Sequence, residues 1–185
     1  MILLVVGKTC SGKDTVAHFI ENNYNFKRII TYTTRPMRPD DVQGVSHHFV
    51  SKDEMSGYSK ADMFSPTKLA GYDYFMLREQ FSKEDAVCIV DPKGVHDFVR
   101  LGIEHYAIYV ESPESLILER AKERGTDFEV VQSRLDAERD IFDSFRDSCA
   151  YEYRINNLAT VDELKAKTAL CMAYFGYQLL EPQAE

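Results

Sequence analysis

The chain has 185 residues, 44% hydrophobic and 28% charged, which suits one globular domain with a sizeable core. Its formal net charge of −8 argues against a broad nucleic-acid or membrane surface, because both demand positive charge spread over a face. An anionic small ligand then requires the basic residues to be concentrated in one site.

The four cysteines, Cys10, Cys88, Cys149 and Cys171, show no C-x-x-C spacing, so zinc is not expected. Cys88 and Cys171 fall in apolar patterns and read as core residues. The N-terminal apolar run is too short for a secretory signal, and no window approaches a membrane span. The cytoplasm is the expected compartment.

In chain order, Ile2 to Val6 is a short β-branched run ended by Gly7, the pattern of a strand buried on both faces. Lys13 to Glu21 reads as a helix, and Phe26 to Thr31 as a second strand. Residues 32–82 change character: they are polar, rich in Tyr, Ser, Asp and Gly, with strand-like pieces "SHHFVS" and "GYDYFML" around the helix start "SKDEM". They read as an insertion of small β elements. "AVCIVD" and "HYAIYVE" return to the buried-strand pattern, with a crossover helix from Pro92 to Leu101 between them. In "SPESLILERAKERG", Ser112 precedes Pro113 at the expected first helical position. Thr126 to Arg146 reads as a charged helix, "YEYRIN" as a last strand, and Val161 to Tyr174 as a closing amphipathic helix. Strands alternating with helices predict an α/β fold with a parallel, doubly wound sheet.

The stretch "GKTCSGKDT", Gly7 to Thr15, nearly completes the pattern G-x-x-x-x-G-K-[ST] of a phosphate-binding loop. Its strand–loop–helix setting is the context that gives such a match meaning. Glycines let the backbone curl so that N–H groups point at phosphate oxygens; the helix start adds its positive end, and Lys13 reaches the β and γ oxygens. The expected nucleotide-binding set is therefore Gly7, Lys8, Thr9, Cys10, Ser11, Gly12, Lys13, Asp14 and Thr15.

Asp14 departs from the pattern, standing where a hydroxyl residue usually ligates Mg²⁺. A carboxylate is also a hard oxygen ligand, so Asp14 is one candidate for the metal. The other reading makes it a favourable charge in the first helical turn. Thr15 lies about 100° further round the helix and does not simply replace the missing hydroxyl.

"TYTTRPMRPDDVQG" places Arg35 and Arg38 in a Pro-broken segment that cannot be a helix interior. An irregular loop can aim both guanidinium forks at one anion, which suits a phosphate. A pair of solvated surface arginines is the plain alternative.

With "TTRPMRPDDVQGVSHHFVSKDEM", "GYDYF", "CIVD", "ERGTDFEVVQSRL" and "RINN" in this order, the chain resembles the guanylate kinase family from Met1 to about Met172. The pattern T-T-R-x-x-R-x-x-[ED]-x-x-G is specific to that family. The resemblance implies a P-loop kinase fold with core 1–31 and 83–185, an acceptor-binding insertion at 32–82, and a helical lid at about 120–146. It implies that Arg35, Arg38 and Tyr74 hold the acceptor phosphate, and that Asp91 lies near Mg²⁺ or the acceptor. Arg124 and Arg134, with Arg120 as a weaker candidate, would close over the transferred phosphate, and Asn156 would lie near the adenine edge. Related adenylate-kinase-like loops end Gly-Lys-Gly-Thr, so a hydroxyl directly after the lysine is dispensable in this wider group.

The departures fall on the base-reading set. His47 stands where the family has a phosphate-binding Tyr, Ser65 where it has a guanine-reading Glu, and Met76 where it has a Ser. The chain is also shorter by two residues after Asp91, where the family has a second acidic group. The expected activity is Mg²⁺- and ATP-dependent phosphoryl transfer to a small phosphorylated acceptor, most simply GMP or dGMP. The alternatives are another nucleotide or ribose 1,5-bisphosphate as acceptor, or a non-catalytic protein-binding module. The partners expected are nucleotides, without nucleic acid or membrane.

Overall fold

Leu3, Leu4, Val5 and Val6 have no exposed surface, because their strand is flanked on both sides and covered on both faces. The computed structural model describes residues 1–38, 41–69, 71–81 and 84–180. Along the chain the elements are β1 (Ile2–Val6), α1 (Lys13–Asn23), β2 (Lys27–Ile29), β3 (Tyr32–Thr33), β4 (His48–Phe49), α2 (Lys52–Ser56), β5 (Met63–Leu69) and β6 (Tyr72–Leu77). There follow β7 (Ala86–Ile89), α3 (Pro92–Arg100), β8 (His105–Glu111), α4 (Glu114–Glu123), α5 (Phe128–Ser148), β9 (Tyr153–Asn156) and α6 (Val161–Tyr174).

The main sheet has the order β2-β7-β1-β8-β9, and every pairing is parallel. Parallel neighbours require crossovers, and the helices that make them cover both faces. The alternation along β1 sorts its side chains. Leu3 and Val5 join Val87, Ile108 and Ile155 under α1 and α6, through Val16, Ala17, Ile20, Leu164, Cys171 and Met172. Leu4 and Val6 join Cys88, Ala107 and Tyr109 on the opposite face, under Val95 and Phe98 of α3 and Phe142 and Phe145 of α5. Cys88 and Cys171 are fully buried, as their apolar settings predict, and burial pushes both thiols up to about 12. The first halves of the chain lie on one side of β1 and the later strands on the other. Ligands in open α/β sheets bind at the carboxyl ends of strands at such a reversal.

The predicted strand from Phe26 to Thr31 is shorter and is followed by a change of partner. Lys27–Ile29 pair with β7, whereas Tyr32–Thr33 leave for a second sheet of order β4-β3-β6-β5. That sheet has its own small core of Met63, Phe75 and Leu77, with Tyr32 stacked on Phe75 at 5.2 Å. α2 opens with the capping box Ser51/Glu54. Phe64 and Met76, paired across β5 and β6, bury their side chains in the main core, so the second sheet is fastened to the first. The proposed boundary at residues 82 and 83 lies outside the described residues.

Ser112 does not cap α4. The helix starts after Pro113 without a side-chain cap, and the Ser112 hydroxyl donates instead to the Asn157 carbonyl at 2.9 Å. Pro113 fixes the helix start by itself, which frees the serine for a contact across the sheet. The charged helix predicted from Thr126 begins at Phe128, after Asp127 accepts from the Glu129 N–H. Its N-terminal half packs Val131 and Leu135 against Ile117 and Ala121 of α4 in a cluster separate from the main core, while Phe142 and Phe145 anchor its other end in that core.

Candidate active site

The loop after β1 turns on two left-handed residues, Cys10 (φ 53°) and Gly12 (φ 98°). Gly12 precedes α1 and leaves it without a side-chain cap, so the first N–H groups of the helix face the loop. A Cβ on Gly12 would stand 2.5 Å from Asn157 Nδ2 and 2.9 Å from Leu164 Cδ2, in a conformation that L side chains avoid. The back of the loop is held through the Ser11 carbonyl, and the groups that hold it are themselves braced by Arg120. Asn157 Nδ2 donates to the Ser11 carbonyl at 2.8 Å, and Arg120 spans Ser112 Oγ, Asn157 Oδ1 and the Ala159 carbonyl at 2.9–3.1 Å.

In front of the loop opens a cleft of about 720 Å³ between the two sheets and α5. Lys13, Arg28, Arg35, Arg38, Arg124 and Arg134 line it, against the carboxylates Asp14, Asp41, Asp91 and Glu138. In a chain of net charge −8 this is a local excess of positive charge, the concentration that an anionic ligand requires.

Asp41 organises the two arginines of the Pro-broken loop. Its Oδ2 accepts from Arg35 NH1 at 2.8 Å and from the Arg38 backbone N–H at 2.7 Å. Arg35 is buried, also donates to the Pro36 carbonyl, and lies 5.2 Å over the Phe49 ring. The Arg38 guanidinium is pulled below its ordinary value by desolvation first, then by Arg134 and Arg35. Three like charges thus converge from two different parts of the chain. An anion of matching size would remove the repulsion.

His47 borders the same region, its Nδ1 2.7 Å from Thr31 Oγ1 and its ring edge-on to Tyr74 at 5.8 Å. Burial, followed by the nearby Arg35, lowers it from 6.5 to about 4. The native state therefore binds fewer protons at His47 than the unfolded chain between pH 6.5 and 4. Stability is expected to be fully present above that window and to fall on acidification by about 2–3 kcal/mol. Urea melts from pH 7 down to pH 4 check this: His47→Gln should flatten that part of the profile, and an unchanged slope would assign the acid loss to other groups.

Tyr74 and Met76 are two residues apart on β6, hence on one face and about 7 Å apart. Tyr74 lies at the arginine end; Met76 is buried and touches the main core. Opposite them Ser65 sits at a register shift between Phe64 and Thr67, with φ 46°. Its hydroxyl donates to Asp97 Oδ2 at 2.8 Å, and Asp97 is also held by Lys93 and Arg100. Asp91 lines the cleft and accepts from the Gly94 N–H at 2.7 Å as the cap of α3.

Gly7, Thr9, Lys13, Asp14, Thr15, Arg35, Arg38, His47, Ser65, Tyr74, Met76, Asp91, Arg124 and Arg134 all line the one cleft. Lys8 turns instead to Glu114 (3.1 Å) and Asp143 (3.6 Å). Cys10 packs beside the α4–α5 cluster, and Ser11 is fully buried with its Oγ unpartnered among the described residues. Asn156 is exposed and its carbonyl accepts from Lys167, whereas the neighbouring Asn157 is the one bonded to the loop. Asp14 caps nothing. Its carboxylate lies 3.9 Å from Lys13 Nζ and 3.7 Å from Arg28 NH2, with the side chain 72% exposed.

Sequence reasoning passed over Arg28, Glu138, Asp97 and Asn157. A cation inside a predicted strand was the available signal for Arg28. Glu138 follows Arg134 by four residues, the spacing of one helix face.

A family model described as guanylate kinase matches residues 1–169. The guanylate kinase of Mycoplasmoides gallisepticum is 28% identical over 164 residues, which cover 77% of this chain and 82% of that protein. That of Pseudomonas fluorescens is 24% identical, covering 89% and 84%. Among solved structures, guanylate kinase from Anaplasma phagocytophilum superposes with a TM-score of 0.71 at 18% identity, over 94% of this chain and 85% of that one. Together with the phosphate loop and the arginine-lined cleft in front of it, the family match over residues 1–169 makes this chain a member of the guanylate kinase family.

Proposed function

We propose that the chain transfers the γ-phosphoryl group of ATP to the phosphate of GMP or dGMP. The observation that carries this is the convergence of Arg35, Arg38 and Arg134 on one cleft that also holds Lys13 of the phosphate loop. The acceptor oxygen is already largely anionic near neutral pH, since the second phosphate pKa is about 6. No general base is needed. Lys13 and the loop N–H groups hold the donor phosphates, and Arg35 and Arg38 hold the acceptor. Arg124 and Arg134 neutralise the charge that develops between them. Residues 32–82 act as the acceptor-binding part. The α4–α5 pair acts as the lid, its separate small core letting it move as a unit while Phe142 and Phe145 stay anchored. The cytoplasm is the proposed compartment.

Mg²⁺ binds through one or two carboxylates and substrate phosphates rather than an all-protein cage. Asp14 fits that demand: it is exposed, lines the cleft and adjoins the lysine that meets the phosphates. Asp91, which keeps one oxygen beyond its capping bond, is the second candidate. Held there by Asp14 and Asp91, the ion would supply positive charge that offsets the donor phosphates. Asp14→Ala is expected to raise the Mg²⁺ concentration for half-maximal activity several-fold, with a melting temperature close to wild type because no cap is lost. A loss of about 1 kcal/mol with an unchanged metal requirement would return Asp14 to a helix-stabilising role.

ADP release across GMP, dGMP, AMP, CMP, UMP and ribose 1,5-bisphosphate tests the acceptor. GMP should be used, with a narrower lead over the other bases than a carboxylate at position 65 would give. The Ser65 proton is committed to Asp97, so its oxygen can accept from one guanine N–H where a carboxylate could take two. Each donor left unpaired costs about 1–3 kcal/mol. Turnover of the sugar bisphosphate but of no nucleotide would overturn the assignment.

A further inference from the structure

Glu138 is a carboxylate in a costly place. The residue is 7% exposed, lines the cleft, and its Oε2 accepts from the Thr9 backbone N–H at 2.7 Å. Thr9 belongs to the phosphate loop, so a side chain of α5 is fastened to the loop that curls round the donor phosphates. Arg134 lies one turn earlier on the same helix face and lines the same cleft. The cations facing Glu138 are Lys13 and Lys8 from the loop and Arg134 from its own helix. Lys8 is already engaged by Glu114 and Asp143, and Lys13 also has Asp14 beside it. Burial outweighs their pull and raises the Glu138 carboxyl above its usual range, although Thr9, Lys13, Arg134 and Lys8 all lower it.

We propose that Glu138 is a positioning residue for transfer: protonated when nucleotide is bound, it pins α5 to the phosphate loop so that Arg134 stands over the transferred phosphate. This deepens the kinase reading above and rests on it. A triphosphate brings several negative charges to the loop that the carboxylate already touches. Two anions in one water-poor site cannot both stay charged. Lys13 and Arg134, which now temper the carboxylate, turn to the phosphates. The carboxyl therefore takes one proton from solvent as nucleotide binds. The neutral carboxyl keeps the Thr9 N–H through its carbonyl oxygen and no longer repels the phosphates that the loop holds. The proton returns to solvent when the nucleotide leaves. An ionised Glu138 would be repelled from the loop and would carry Arg134 away with it, so closure depends on neutralisation.

The test is calorimetry of the full chain with ADP and with a non-hydrolysable ATP analogue, in buffers of different ionisation enthalpy from pH 6.5 to 8. The wild type should take up close to one proton per site more than Glu138→Gln, which keeps the size and an acceptor oxygen for Thr9. Wild-type affinity should weaken with rising pH by up to about tenfold per unit, the linkage of one proton, while the Gln variant stays flat. Equal uptake and equal pH dependence in the two proteins would overturn the proposal. For positioning, Glu138→Ala should lower kcat by at least about tenfold with KM for ATP within about twofold, and adding it to Arg134→Ala should cost nothing further. Fully additive losses would show that Glu138 does not act through Arg134. A wild-type chain that binds no adenine nucleotide would overturn the kinase reading and this inference with it.

Discussion

Lys13→Ala should abolish most of the phosphoryl transfer and leave the fold intact. The Lys13 side chain is only 22% exposed, yet it contributes to no apolar cluster; its ammonium touches the Lys8 carbonyl at 3.4 Å and lies near Asp14. It is therefore held over the loop by weak contacts that ligand phosphates can replace. A preorganised cation aimed at developing charge contributes about 10²- to 10³-fold in kcat when deleted singly. The variant should melt within roughly 0.5 kcal/mol of wild type, as substitutions away from core and caps do. Removing the lysine also leaves Asp14 facing the triphosphate with only Arg28 beside it, so nucleotide affinity should fall together with kcat. Turnover unchanged in Lys13→Ala would remove the loop from the mechanism.

Arg38→Ala and Arg35→Ala should separate binding from stability, although the two arginines share one carboxylate. Arg38 gives Asp41 its backbone N–H, which alanine retains, and its guanidinium faces Arg134 and Arg35. Removing it relieves like-charge repulsion, so the folded state should be as stable as wild type or more so. Acceptor binding should suffer instead. Charge-assisted hydrogen bonds contribute about 1.5–3 kcal/mol each, so KM should rise roughly 10²-fold for every phosphorylated acceptor alike, whatever its base. Arg35 has the opposite profile. It is buried, with its guanidinium on Asp41, whose side chain is 13% exposed. Arg35→Ala leaves that carboxylate without its partner and should cost about 3–5 kcal/mol of stability. Denaturant melts beside initial rates on GMP and AMP decide both. A selective loss on GMP in Arg38→Ala would move Arg38 from the phosphate to the base.

Local pattern alone determined much of this protein. The run Ile2–Val6 ended by Gly7 pointed to a strand buried on both faces, and Gly12–Lys13 at the start of a helical apolar spacing pointed to a phosphate-binding turn. Both signals are local: side-chain periodicity and the conformational freedom of glycine are written into consecutive residues. The arginine pair was legible for the same reason, since the flanking prolines Pro36 and Pro39 exclude a helix and leave a loop.

Tertiary structure alone decided what these groups face. Arg134 is 96 residues from Arg38 in the numbering, and no spacing rule could bring them together. Ser112 had a sound local reading as a helix cap, but the Asn157 carbonyl across the sheet offered its hydroxyl a partner where Pro113 had already fixed the helix start. Asp14 had two local readings, a metal ligand and a first-turn charge. β2, the edge strand of the main sheet, supplied Arg28, which places the carboxylate between two cations. Glu138 carried a helical spacing to Arg134 but no hint of Thr9, 129 residues away, whose N–H it holds. The cause is the same in each case. Propensity and periodicity act over a few residues, whereas hydrogen bonds and charges act between whatever surfaces packing brings within about 4 Å.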